Sequence, residues 1–408
     1  MNAIPAVVGA RGWKSVGAAV LVVAASACSG GSATAPAAAP TSTVPSAGLQ
    51  SSSTTVPPAA APGTTSPATA TAAADAAASS VAGVYAATTG GLAPSVADIP
   101  SRVYVPNSDA GTVSVIDPAT FEVIDTFHAG KMPHHVIPSW DMQTLFVLDT
   151  AGNGMTPIDP RTGQPGPRID VADPYNLYFT PDGSTAIVVA ERYRRLDLRD
   201  PHTWELRASI DVPNKGVNHG DFSPDGRYFY ASCEFSGYVV KVDLVEQRVV
   251  AEIQAGVEPI DVKLSPDAQV IYVADQVRNG VILLDPNDLT EIGFIPTGKG
   301  AHGMYLSRAA TQLYVSNRKG GSVSVIDLAS RSVSATWEIP GGGSPDMGGV
   351  SIDGSQLWLG GRYNAEVYVF DTTTGEVTHQ IPTGAGSHGV SVFPQPGRYS
   401  LGHTGVYR

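Results

Sequence analysis

The sequence predicts an all-β fold, a seven-bladed β-propeller made of four-stranded antiparallel blades. Two observations lead to this prediction: a segment that recurs every 41–44 residues, and short strands of alternating polarity between its copies. A single four-stranded sheet has two apolar faces and cannot bury them alone, so the units are expected to stack around a ring. After residue 80 no helical periodicity of useful length competes with this pattern.

The recurring segment opens the first strand of each unit. Its copies begin at Pro133, Pro174, Val217, Pro259, Ala301, Pro345 and Ser387. Each is followed by an aromatic-rich strand such as LYVSN (residues 313–317), an apolar strand that ends in Asp, and a fourth strand. Pro-Asp-Gly, Asn and Gly turns separate the strands, as expected for antiparallel hairpins.

The two ends of the repeat region are expected to meet in one blade. The chain enters at a second strand (residues 103–107) and leaves with a first strand (residues 388–393), which would close the ring. The alternative is eight blades, with residues 81–97 and 398–408 supplying the additional strands. Seven is favoured, because residues 102–397 span seven periods.

The first 27 residues have the three-part form of an export signal. Arg11 and Lys14 precede an uncharged apolar run (residues 16–25) that is too short to span a bilayer, and small residues lead to Cys28. This arrangement resembles the lipobox of bacterial lipoproteins, although Ala25 stands where Leu is commoner. The resemblance implies lipidation of Cys28 and an extracytoplasmic, membrane-anchored protein; ordinary secretion is the alternative.

Composition divides the rest of the chain. Residues 28–80 are almost entirely Ala, Ser, Thr, Pro and Gly, with Asp75 as the one charged residue, which predicts a disordered tether before a propeller domain at residues 81–408. The only cysteine besides Cys28 is Cys233, so no internal disulfide is expected. A net charge of −12 makes nucleic acid an unlikely partner, and a monomer is expected.

The repeat motifs resemble those of the YVTN family of β-propellers. The segments that carry the resemblance are SHGVSVFPQPG at Ser387, LYVSN at residues 313–317 and GSVSVIDLA at residues 321–329. The resemblance covers residues 102–397 and implies the propeller fold. It implies little about function, because one fold serves many activities.

Histidines recur where the first strands begin. In a propeller these starts converge at one mouth of the central channel, and the residues there include five of the nine histidines: His134, His135, His219, His302 and His388. Imidazoles are good ligands for copper and zinc, and Asp261 and Asp346 stand at equivalent positions. The sequence therefore offers a metal site, against the alternative that each histidine only ties its blade to a neighbouring loop. Adjacent residues of a regular strand point to opposite faces, so the pair His134-His135 has no simple shared role.

The set is similar to the seven-bladed propeller of nitrous oxide reductase, whose copper cluster is held by a ring of histidines. Here Tyr175, Ile260 and Asp346 occupy three of the blades, and no second copper domain follows. That enzyme's activity is therefore not implied. A simpler copper or zinc site remains as the cofactor hypothesis.

A second ring of polar residues follows the next strand in six units: Asn107, Asp149, Glu191, Glu234, Asp275 and Asn317. Acids and amides there usually hydrogen-bond their own turn. The arginines one position later, Arg192, Arg318 and Arg362, could instead bind an anionic ligand. The sequence thus favours a lipid-anchored module that binds a small molecule or a protein at the channel mouth. The alternatives are a metal-dependent oxidoreductase or a lactonase-type hydrolase.

Overall fold

The computed structural model describes residues 83–403 and 405–408. The export signal, Cys28 and the tether lie outside these residues. Within the described part of the chain, no helix is both long and apolar enough to cross a membrane.

Seven four-stranded antiparallel sheets form the ring, as predicted. The strands of each sheet follow one another from the channel outward. Blade 1 contains β28 (Ser391–Phe393), β1 (Arg102–Asn107), β2 (Thr112–Asp117) and β3 (Glu122–His128). Blade 2 contains β4 (Pro133–Pro138), β5 (Leu145–Asp149), β6 (Gly154–Ile158) and β7 (Ile169–Asp170). Blade 3 contains β8 (Asn176–Phe179), β9 (Ala186–Ala190), β10 (Arg195–Arg199) and β11 (Leu206–Asp211).

The other four blades repeat this order. Blade 4 contains β12 (Val217–Phe222), β13 (Tyr228–Cys233), β14 (Tyr238–Asp243) and β15 (Arg248–Gln254). Blade 5 contains β16 (Pro259–Leu264), β17 (Ile271–Asp275), β18 (Gly280–Leu284) and β19 (Glu291–Pro296). Blade 6 contains β20 (Ala301–Leu306), β21 (Gln312–Asn317), β22 (Ser322–Asp327) and β23 (Ser332–Glu338). Blade 7 contains β24 (Pro345–Val350), β25 (Gln356–Gly361), β26 (Glu366–Asp371) and β27 (Val377–Pro382). Two short 3-10 helices, Gly83–Thr89 and Glu234–Ser236, complete the elements.

The ring is closed by pairing the chain's last strand with its first. In blade 1, β28 lies antiparallel to β1, with Phe393 opposite Arg102 and Ser391 opposite Tyr104. The predicted seven-blade closure is confirmed. The eight-blade alternative is wrong, because residues 398–408 form no outer strands and fold into the channel instead.

The core lies between neighbouring blades, where apolar faces of successive sheets meet. Between blades 3 and 4, for example, the Tyr178 ring packs 4.9 Å from Phe229 and 6.2 Å from Phe222, measured between centroids. All three side chains are buried. Burial of such interfaces around the ring supplies the stabilisation that no single blade can provide.

Five inner strands carry a one-residue bulge at the same place. In β4, β12, β16, β20 and β24 the pairing with the second strand shifts just after the first residue. A bulge leaves one residue outside the ladder and redirects its neighbours. This is why His134 and His135 can both lie in the channel, against the alternation expected of a regular strand.

Side chains from the preceding blade accept hydrogen bonds from backbone N–H groups near these bulges. The Tyr178 hydroxyl accepts from Gly220 N (2.7 Å) and Asp261 Oδ2 accepts from Met304 N (2.8 Å). Asp221 Oδ2 accepts from Leu264 N (2.9 Å) in the same way. Buried N–H groups need such partners, so these side chains join adjacent inner strands and make the channel wall rigid.

The far ends of the inner strands are covered by both ends of the described chain. We call residues 398–408 the C-terminal tail. The tail lies against β8, where Phe179 N donates to Leu401 O and His403 N donates to Leu177 O, both at 3.0 Å. Arg408 contacts the carboxylate of Asp221 (3.1 Å), and the hydroxyl of Tyr85, from the first 3-10 helix, donates to the same carboxylate.

Candidate metal centre

Six buried histidines occupy the channel just inside the mouth. We call them the histidine cluster: His134, His135, His219, His302, His388 and His403. Each is at most 5% exposed, so the cluster lies inside the channel rather than at the surface of its mouth. The five histidines singled out in the sequence all belong to the cluster. The sixth, His403, comes from the C-terminal tail.

The upper part of the cluster is built by blades 1 and 2. The rings of His134 and His388 have centroids 3.8 Å apart, and His135 lies 5.0 Å from His134 and 4.9 Å from His388. Nδ1 of His134 is 3.2 Å from the Ser108 hydroxyl. Tyr175 packs 5.1 Å from His134 and completes the wall.

The lower part is built by blades 2 and 4 with the C-terminal tail. His219 lies 5.4 Å from His135 and 4.7 Å from His403, between ring centroids. Nδ1 of His403 is 3.2 Å from the Asn176 amide nitrogen, and its Nε2 faces Asp261 Oδ1 at 3.4 Å. This arrangement fixes the His403 ring between blades 3 and 5.

A carboxylate flanks the cluster on the other side. Asp346 Oδ1 lies 2.9 Å from His302 Nδ1 and 3.4 Å from Arg318 Nη1, although the histidine ring is not oriented for a hydrogen bond at that distance. Asp346 Oδ2 lies 3.8 Å from His388 Nε2. Burial opposes ionisation of this carboxyl, but His302 and Arg318 outweigh it and hold its pKa below the usual value.

The histidines are held neutral. Burial, and secondly the charge of Arg362, lower the pKa of His134 to about 3. Burial and the neighbouring His134 ring hold the pKa of His135 well below its usual value, and burial lowers the pKa of His219, His302, His388 and His403 as well. A neutral imidazole keeps the lone pair that binds a metal ion.

Several ring nitrogens of the cluster lack hydrogen-bond partners among residues 83–403 and 405–408. They include both nitrogens of His135, Nε2 of His219 and of His403, and Nδ1 of His388. Buried polar atoms without partners are costly and are rare in folded proteins. Their concentration in one place leaves ring nitrogens available to a bound group.

Ligand atoms of the cluster converge in three overlapping groups. Within each group they all lie within 4.8 Å of one another. The groups are His134, His135 and His388; His135, His219 and His403; and His302, Asp346 and His388. Imidazole nitrogens are good ligands for copper and zinc, and three histidines are a known ligand set for zinc.

Of the predicted anion-binding arginines, two lie beside the cluster and one does not. Arg318 donates to Gln276 Oε1 (2.8 Å) next to Asp346, and Arg362 donates to Gly386 O (2.9 Å). Arg192 instead binds Asp173 (2.6 Å) and Asn153 (2.9 Å), so its guanidinium is occupied by the loops of blades 2 and 3.

Two acids of the second polar ring do not bond to their turns. Asp275 accepts hydrogen bonds from four backbone N–H groups, as a turn residue should. By contrast, Glu234 binds the side chains of Asn218 and Gln276, and Oε1 of Glu191 has no partner in the described part of the chain. Burial, and then the charge of Glu234, raise the pKa of Glu191 to about 8.

Sequence reasoning missed His403 because it lies outside the repeat. It is the only histidine of RYSLGHTGVYR, and nothing in that segment matches a strand motif. The sequence held only an indirect sign of its role: a histidine that follows a glycine in a segment too short to form a blade. Cys233 is a buried thiol with its pKa raised to about 12 by burial and then by the charge of Glu252, as expected of an inert core residue.

Comparison with known proteins agrees with this architecture. A family model described as a YNCE-like beta-propeller matches residues 67–398. The chain is 26% identical over 233 residues to a dihydro-heme d1 dehydrogenase of Pseudomonas aeruginosa, which corresponds to 57% of this chain and 42% of that protein. The chain therefore spans less than half of that relative's length.

Two further likenesses support the fold. The chain is 21% identical over 266 residues to protein YncE of Salmonella typhi, covering 61% of this chain and 74% of that protein. Among solved structures, a functionally unknown protein of Desulfotomaculum acetoxidans superposes with a TM-score of 0.61 at 16% identity. That match covers 71% of this chain and 98% of the other, and at this identity it shows the fold alone.

Proposed function

The chain belongs to the YNCE-like β-propeller family, and we propose that it holds copper or zinc in the histidine cluster. One observation carries the proposal: buried, neutral imidazoles with unpartnered nitrogens converge within 4.8 Å. A purely structural histidine would use both ring nitrogens in hydrogen bonds to the blades.

The electrostatic surroundings suit a cation. The Asp346 carboxylate lies in contact distance of His302 and His388, and the Asp261 carboxylate faces His403. Both are fully buried, and their pKa values are held below the usual value despite burial. A positive charge that is buried away from water needs nearby negative charge to compensate the loss of hydration. The cluster therefore offers neutral donors beside two carboxylates, whose negative charge is partly offset by neighbouring basic side chains.

Copper and zinc would support different chemistry at the same residues. A bound zinc ion polarises an oxygen ligand, whereas a bound copper ion can exchange an electron. On the protein's side, Arg318 and Arg362 lie close to the cluster, where their positive charge would favour an anionic ligand. We propose that small-molecule binding at the mouth uses these two arginines, together with Asp346.

Metal analysis tests the proposal directly. The full-length protein is expressed with copper or zinc supplied, dialysed, and measured by plasma mass spectrometry beside a His135→Ala/His219→Ala double variant. At least about one equivalent of metal in the wild type, lost in the double variant, is expected. A His202→Ala variant, altered at an exposed surface histidine, should keep its metal. Metal-free wild type would overturn the proposal.

A redox role is the second candidate, and the dehydrogenase relative favours it over hydrolysis. Tyr175 is buried against His134, His135 and His219, which places an aromatic group beside the bound ion. If the ion is copper, the protein should cycle between cuprous and cupric forms under ascorbate and air, as followed by the cupric absorption. A copper form that is reduced only on unfolding would exclude this role.

We further propose that the protein works outside the cytoplasm, anchored by lipid at Cys28. The proposal rests on the lipobox-like sequence, since Cys28 lies outside the described residues. Metabolic labelling with a fatty acid, compared between wild type and Cys28→Ser, tests it. If the wild type incorporates no label, lipidation is contradicted and secretion without a lipid anchor is the remaining interpretation.

A further inference from the structure

The channel contains two groups made of histidines alone, one above the other. The tail residue His403 belongs to the lower group. The upper group contains His134, His135 and His388, and the lower group contains His135, His219 and His403. His135 is common to both. A further ion deep in the channel would therefore depend on a segment that is not part of any blade.

The C-terminal tail is seated firmly enough to hold a ligand in place. Gly402 pairs with Tyr178 of β8, and a Cβ at Gly402 would overlap the carbonyl oxygen of Leu177. The side chain of Arg408 donates to Asp221 and to the carbonyl oxygens of Phe222 and Ser223. His403 lies between these two attachments, so its ring is fixed and fully buried.

His135 is placed to serve both groups at once. Its two ring nitrogens are buried and unpartnered within the described residues. Nδ1 lies against Gly389, next to His388, because a Cβ at Gly389 would overlap that nitrogen. Nδ1 and Nε2 of one imidazole point in divergent directions, so an ion bound at one nitrogen leaves the other available to a second ion.

From this geometry we propose that the channel holds two metal ions bridged by His135, the lower one completed by His403 of the tail. The inference rests on the proposed metal-binding function. His135 Nδ1 binds the upper ion with His134 and His388. His135 Nε2 binds the lower ion with Nε2 of His219 and of His403. The His403 proton then moves to Nδ1, and the Asn176 amide, whose nitrogen faces Nδ1 in the metal-free protein, rotates to accept it. The bridging imidazole releases its remaining N–H proton to solvent when the second ion binds, so the bridge is an imidazolate.

Two charged residues near the lower group act in opposite directions. Asp261 Oδ1 lies 3.4 Å from His403 Nε2 and attracts a cation. Lys263 is fully buried on the same strand, and its Nζ has no hydrogen-bond partner in the described part of the chain. Its charge acts on both Asp261 and His403, so it opposes a lower ion.

Copper titration of the full-length apo-protein tests the inference. Equilibrium dialysis against cupric ion should show about two ions per chain in the wild type and about one in His403→Ala. Double integration of the electron paramagnetic resonance signal should account for fewer spins than bound copper in the wild type, because an imidazolate couples the two ions. In His403→Ala the spin count should equal the copper count.

A gain-of-affinity variant guards against a folding artefact. Lys263→Met removes the opposing charge and should tighten the lower ion by about 10-fold, a direction that a damaged fold would not produce. Wild type that binds a single copper, lost in His135→Ala but retained in His403→Ala, would overturn the two-ion inference and leave the proposed function standing. Wild type that binds no copper would overturn both.

Discussion

The rings of His134 and His388 lie 3.8 Å apart, although they belong to opposite ends of the repeat region. His388 also lies 3.8 Å from Asp346, so it connects two of the three ligand groups. Its position depends on ring closure through β28, which follows it in the chain. The proposed metal site and the closed ring are therefore one structural unit.

Replacing His388 should weaken the upper ion strongly. His388→Ala removes one ligand from two groups, and we expect metal affinity to fall by at least about 100-fold, measured by competition with a chelator of known affinity. His379→Ala changes a half-buried histidine on the outer strand β27 and serves as the matched control. Equal affinity in the two variants would contradict the assignment of His388 as a ligand.

Gly389 should be required for the observed position of the His135 ring. A Cβ at position 389 would overlap Nδ1 and Cγ of the His135 ring. Gly389→Ala should displace that ring, abolish stoichiometric metal binding and lower the free energy of unfolding by about 1–3 kcal/mol. At Gly91 a Cβ would meet no atom within 4 Å, so Gly91→Ala should change neither quantity. Chemical denaturation and metal analysis of both variants check this.

Lowering the pH should destabilise the metal-free protein, and the loss should begin well above the pH range in which ordinary carboxyl groups titrate. In the unfolded chain histidine titrates near pH 6.5, whereas the native pKa of His134 is about 3. Between these values the unfolded state binds protons that the native state does not, so stability is present above pH 6.5 and is lost as pH falls. Each such histidine contributes up to about 1.4 kcal/mol per pH unit.

Urea denaturation at several pH values between 4 and 7.5 measures this loss. His135→Gln should flatten the dependence, because glutamine has no proton to bind in this range. The same slope in wild type and His135→Gln would show that His135 is not buried in its neutral form.

Glu191 should give the opposite dependence. Burial and the neighbouring Glu234 raise its native pKa to about 8. From about pH 4.5 to 8 the native state holds a proton that the unfolded state releases, so stability falls as pH rises through this window. Glu191→Gln should therefore raise the free energy of unfolding at pH 8 by about 1–2 kcal/mol and have little effect at pH 4.

The exposed Glu122 on β3 offers the control for this measurement. Glu122→Gln should change stability by less than about 0.5 kcal/mol at either pH. If Glu191→Gln destabilises the protein at pH 8, the carboxyl is ionised and paired in the native state.

The repeat predicted the fold and five of the six cluster histidines, for one physical reason. Residues at the same phase of each blade reach the same height in the channel, so His302 and His388 could be placed together without any contact information. What the repeat could not show was non-periodic. His403 reaches the cluster through tail contacts with β8, and no local pattern encodes them.

Two other outcomes depended on details of pairing. The bulge in β4 places both His134 and His135 in the channel, and it follows from the register with β5 rather than from residue type. Arg192 follows its strand just as Arg318 does, yet its guanidinium binds Asp173, which has a left-handed backbone conformation (φ 48°) in the preceding loop. The partners of a turn residue depend on the neighbouring loop, which its own sequence position does not reveal.

The pairing of β28 with β1 also sets the order in which the molecule can mature. A growing chain emerges N-terminus first, so β1 waits without its inner neighbour until β28 has been made. His388 and His403 follow the other ligands in the sequence, and a chain that stops before His388 lacks part of every ligand group. The compartment in which the final residues complete the ring is therefore the one whose metal ions the finished channel first meets.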